Sequence, residues 1–102
     1  RWELINTSQT LGTSLRYLVD SSGGPLTLTL PLYNNKLVPK EGDVIEFIDV
    51  GFTWDINNVT VIDPDGRQFQ NELEVISSPL VFDVKGARVQ LIWEGTYWRV
   101  IL

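Results

Sequence analysis

Cysteine, histidine and methionine are all absent from this 102-residue chain. Without Cys there is no disulfide framework, no thiolate metal site and no thiol nucleophile. Without His, nearly all zinc sites, the Ser-His-Asp and Cys-His mechanisms and the commonest general base near neutral pH are excluded as well. Catalysis would have to rest on carboxylate, Lys or Tyr chemistry. Positive charge is sparse and scattered: eight Lys and Arg stand against thirteen Asp and Glu, a net charge of −5. Nucleic acid and anionic membranes are bound through clustered cations, so neither is an expected partner. No apolar run approaches the roughly 18 residues of a membrane span, and no charged-then-apolar signal segment precedes the domain; no membrane insertion is expected. The chain opens on Arg1 and holds no Met, which points to a processed product or, in preference, one domain of a longer polypeptide.

What is present is a chain sized for a single domain, residues 1–102, with 43% hydrophobic content. Its patterning is that of strands. Leu26, Leu28 and Leu30 fall on one face with Thr27 and Thr29 on the other, the period of a half-buried strand, and Pro31 ends it or marks an edge. From Asp43 to Val50 apolar groups occupy both faces, as in a strand covered on two sides. Val59 to Ile62 is another strand, and Asp63-Pro64-Asp65-Gly66 is a turn. Leu32 to Gly42 reads as a long exposed connection, and Arg67 to Val75 as either one helical turn or a short strand with a loop. The end of the chain reads as a β-meander: Lys85-Gly86 and Glu94-Gly95 connect the apolar runs Leu80 to Val84, Ala87 to Trp93 and Thr96 to Leu102. About eight or nine short strands with close-set turns predict an all-β fold, a small antiparallel β-sandwich or barrel.

Chemistry-bearing constellations are few. Asp20, Asp43, Asp49, Asp55, Asp63, Asp65 and Asp83 lie at strand ends and turns, where Asp is favoured because its side chain bonds nearby backbone amides. A glycosidase would need two of them paired across a sugar, and the turn reading outweighs that. Asp63 to Gly66 lacks the ligand spacing of a calcium loop, and Gly23-Gly24-Pro25 lacks that of a phosphate cradle. Neither metal nor cofactor is expected. Among aromatics, Trp54, in an Asp- and Asn-flanked loop behind Phe52, and Tyr97, pointing away from Trp98 on the last strand, are the candidates for stacking on a sugar ring. Core filling is the competing role for each Trp. Val44, Ile48 and Val50, opposite Ile45 and Phe47, give one strand two apolar faces, and Trp98 with Val100 and Leu102, opposite Tyr97 and Ile101, do the same for the last. Such strands need more cover than a thin sandwich gives. Val44, Ile48, Val50 and Trp98 are therefore the candidate oligomer-interface residues.

The order of these pieces resembles a β-domain recurring in bacteriophage tail-fibre and tailspike proteins. The similarity is carried by Gly24-Pro25-Leu26-Thr27-Leu28-Thr29-Leu30-Pro31, by Gly42-Asp43 with Ile45, Phe47 and Asp49, by Thr53-Trp54 with Asn57-Asn58 and Thr60-Val61, and by Trp98-Arg99-Val100. It spans roughly Arg16 to Val100. The resemblance implies a non-enzymatic structural domain of a tail fibre, tailspike or baseplate protein on the outside of the virion. It implies assembly as a homotrimer alongside neighbouring virion proteins, and display of host-recognition elements. A carbohydrate-binding module contacting host-surface polysaccharide is the alternative. No catalytic residues carry over.

Overall fold

The alternation of Leu and Thr after Pro25 becomes a strand with Leu26 and Leu28 buried and Thr27 exposed, and the same rule, every second side chain inward, builds two facing sheets. The computed structural model describes residues 2–12, 15–31, 39–72 and 74–102. Numbered in chain order, one sheet has seven strands in the spatial order β1 (Trp2–Ile5), β3 (Arg16–Val19), β5 (Val44–Asp49), β10 (Arg88–Trp93), β11 (Trp98–Ile101), β7 (Phe69–Asn71), β8 (Glu74–Ile76). The other has four, in the order β2 (Gln9–Thr10), β4 (Leu26–Thr29), β6 (Val59–Ile62), β9 (Leu80–Phe82). The chain is an all-β sandwich, as its patterning predicts.

The connectivity differs from the expected antiparallel arrangement. From β1 to β6 the chain crosses to the opposite sheet after every strand, so β1, β3 and β5 pair in parallel, as do β2, β4 and β6. The reason is geometric: a strand that runs out on one sheet and returns on the other re-enters the first sheet in its original direction. Both sheets are consequently mixed. The later strands pair antiparallel, β5 with β10, β10 with β11, β6 with β9 and β7 with β8, while β11 and β7 are parallel. Arg67 to Val75 resolves toward strand, in the β7–β8 hairpin. Glu94-Gly95 does make a hairpin, with Trp93 opposite Trp98 and the Glu94 N–H donating to the Tyr97 carbonyl at 3.0 Å. Lys85-Gly86 does not, because β9 and β10 lie in different sheets; it is the corner between them. The expected connection from Leu32 to Gly42 falls largely outside the described residues.

The inward faces meet in one core, with Tyr17, Val19, Ile45, Phe47, Val89, Leu91, Trp98 and Val100 on one side and Leu26, Leu28, Val59, Val61, Leu80 and Phe82 on the other. A file of rings crosses it. Tyr17 stacks on Phe47 at 5.8 Å, Phe47 tilts against Phe82 at 5.3 Å, and Phe82 stacks on Trp54 at 5.2 Å. Each such pair contributes about 0.5–1.5 kcal/mol beyond area burial.

Candidate functional site

Register defines two ends of the sandwich. The end of β5, the start of β6, the end of β9 and the start of β10 lie together, since Val59 pairs with Phe82 and Arg88 with Ile48. The loops 50–58 and 83–87 therefore share this end, joined by the turn after β3. Asp49, buried at the tip of β5, organises it. Its carboxylate accepts the backbone N–H groups of Thr53 at 3.1 Å, Trp54 at 3.1 Å and Gly86 at 2.9 Å, drawing both loops onto one side chain. The Thr53 carbonyl then accepts from the N–H groups of Ile56 and Asn57, which closes a single helical turn. Asn57 Nδ2 donates to the Ser21 carbonyl at 2.9 Å, and the Ser21 and Thr53 hydroxyls meet at 2.8 Å.

This folding separates the two aromatics of the loop. Trp54 is turned inward onto Phe82 and is fully buried, its indole N–H without a partner among the described residues. A stacking residue needs an open ring face, and Trp54 has none: it fills the core. Phe52 goes the other way. It is held at φ 55°, the left-handed region bulky residues rarely adopt, and 61% of it is exposed. Phe52 is thus the left-handed residue of this loop. Its ring lies close over residue 86: a Cβ on Gly86, itself at φ 72°, would meet Phe52 ring carbons at 3.2 Å, so the ring would have to shift by a few tenths of an ångström. Ile56, Val84 and Val50 are also exposed in these loops. Tyr97 is half-buried in the β10–β11 hairpin, at the opposite end; the structure does not bring it near Trp54.

The interface candidates divide as well. Trp98 is buried in the chain's own core, edge-on to Trp93 at 5.3 Å, and its Nε1–H donates to the Asp63 carboxylate at 2.9 Å. It is internal, because the inward face of β11 is covered by the second sheet. Val50 lies one residue past β5, in the turn. Val44 and Ile48 do face outward from the seven-stranded sheet, half-buried, with Leu18 and Ile92 beside them in register. Between them sits Glu46, only 3% exposed on an outward face. Arg88 Nε donates to its carboxylate, Gln90 Nε2 does so at 3.3 Å, and Arg16 Nε stands at 3.8 Å. Sequence reasoning passed over Glu46, although a carboxylate with apolar neighbours on both sides in the middle of β5 was a visible signal of a cation on the neighbouring strands. For Phe52 no such signal existed, since either aromatic of the loop could have filled the core.

Among the described residues, the three buried carboxylates are thus Glu46, Asp49 and Asp63, each held by hydrogen bonds within the fold, and no cluster of three or more acidic residues has metal-binding geometry. No protein-family model matches the chain, and no characterised protein matches it in sequence.

Proposed function

We propose that this chain is a structural, non-enzymatic domain of a phage tail fibre, tailspike or baseplate protein, carried on the virion exterior, where it assembles as a homotrimer and presents the loops around Phe52 toward the host surface. The observation that carries the assembly part is the outward face of the seven-stranded sheet, where Val44, Ile48, Leu18 and Ile92 surround Glu46. A sheet face of this kind calls for a covering layer. Three of the chain's Arg residues, Arg16, Arg88 and Arg99, share that face, while the whole chain carries −5. Such a face suits a more acidic surface of another copy better than it suits itself, and head-to-tail contacts between unlike surfaces form rings such as a trimer where the rotation between copies closes. The virion assignment rests on the resemblance of the strand and turn motifs. The buried carboxylates support a structural role, since each is engaged in holding loops or strands.

A second reading, a carbohydrate-binding module gripping host polysaccharide, is favoured by the exposed ring of Phe52 at a loop tip that also carries Asp55. Immuno-electron microscopy tests the main proposal. Antibodies raised against the chain should decorate the tail of the virus that encodes it, and particles labelled nowhere on the tail would overturn the assignment.

A further inference from the structure

Among the described residues the two sheets are unequal, seven strands against four, and the excess lies on one side. β9 is the last strand of the smaller sheet, with no neighbour on its outer side among the described residues, whereas the larger sheet continues beyond β10 through β11, β7 and β8. Among the inward side chains of those strands Trp98, Val100 and Phe69 are still buried, whereas Ile76 at this overhang is only half-buried. A cavity of about 190 Å³ occupies this overhang, lined chiefly by apolar groups, among them Ile76, Leu80, Phe82, Val89 and Val100. Val81 also lines it. Leu80 and Phe82 point into the core while Val81 points out, 46% exposed, so a space touching all three runs along the free edge of β9 rather than over one of its faces.

We propose that this edge receives an extended segment of a partner protein, added as a fifth strand to the four-stranded sheet, with one apolar side chain seated in the cavity and Lys or Arg residues on either side of it. An unpaired strand edge offers backbone donors and acceptors to an incoming strand, which gives affinity, and an adjoining pocket selects its side chain. The volume fits one ring or branched aliphatic group, because an apolar cavity of about 150 Å³ binds benzene. The charge of the flanks follows from the rim. Asp83 and Asn71 line the cavity, Glu74 pairs with Asn71 and shares the inward face of Ile76, and exposed Glu72 sits in the turn between β7 and β8, with Lys85 the cation in the adjoining loop. A second copy of this chain, at −5, is the less suitable donor of a basic segment.

The test uses the 102-residue chain and the blocked peptide Lys-Lys-Val-Phe-Val-Lys-Lys, with a Glu-flanked peptide of the same centre as control. The Lys peptide should shift the amide resonances of Leu80 to Asp83 and slow their hydrogen exchange, and its binding should weaken with added salt. Val81→Lys, which places a charge on the free edge, and Ala87→Leu, which fills the cavity, should each weaken it about tenfold or more. Val81 faces solvent, so its variant keeps the fold intact even if Ala87→Leu does not. The proposal is overturned if the Lys peptide leaves β9 unprotected at millimolar concentration, if the Glu peptide binds equally, or if Val81→Lys binds like the parent. Protection of β9 that rises with protein concentration and no peptide would instead assign the edge to a second copy, and would overturn it too.

Discussion

Asp49 holds three backbone N–H groups from two loops, and removing its carboxylate leaves all three without their acceptor. A buried donor deprived of its partner costs about 1–3 kcal/mol, and of the three only the Trp54 N–H is fully buried while Gly86 is open to water, so Asp49→Ala should lower stability by about 1–3 kcal/mol in urea unfolding; no measurable loss would mean that solvent replaces the carboxylate. Trp54 and Phe52 make a paired prediction. Trp54→Ala should cost about 3–5 kcal/mol, the range for truncating a buried aromatic, and disturb the near-ultraviolet dichroism of the ring file. Phe52→Ala should change stability by less than about 1 kcal/mol and, if the loop touches host glycan, reduce adsorption of assembled particles. Equal effects of the two substitutions on stability would contradict their assignment. At this scale sequence patterning was least informative: Phe52 and Trp54 lie two residues apart in the same loop, and which ring enters the core goes with contacts to distant strands, the Asp49 carboxylate on the Trp54 N–H and Phe82 against its ring.

Elements were more legible. Alternation located β4, β6, β10 and β11, because a strand with one buried face must repeat every second residue, while β5 showed as a run apolar on both faces. Alternation carries no information on which sheet a strand joins or in which direction its neighbour runs, and the six-strand crossing pattern from β1 to β6 was invisible for that reason. Lys85-Gly86 shows the limit well: the positive φ that suits a hairpin suits a sheet-to-sheet corner equally. At that corner Gly86→Ala should destabilise the fold by about 1 kcal/mol or more, from the left-handed backbone alone, and should shift Phe52, read as a change in its ring resonances. The turn after β3 adds a pH dependence. Asp20 ionises below the usual carboxylate range, chiefly because the Ser22 backbone N–H donates to its Oδ1 at 2.9 Å, with the Ser22 side chain adding to it. A folded-state value below the unfolded value of about 3.9 gives stability that is present above that pH and lost as pH falls through the folded value. Urea midpoints followed downward from pH 5 should fall less steeply for Asp20→Asn than for the parent; parallel acid limbs would contradict this.

For the whole molecule, the all-β class followed from strand patterning and turn spacing, whereas the unequal sheets did not, since strand number per sheet is settled by pairing across long sequence separations. Self-cover is the claim on which the proposed function turns. The outward face of the larger sheet holds Glu46 nearly dry beside Val44 and Ile48, an arrangement that gains most when a second chain lies over it. Sedimentation equilibrium of the chain over a micromolar dilution series is the most direct measurement, run beside Ile48→Glu, which sets a second carboxylate on the outward face of β5 that carries Glu46. The account predicts the mass of a trimer for the parent and of a folded monomer for the variant. A parent chain that stays monomeric throughout, or a variant that assembles equally well, would contradict it.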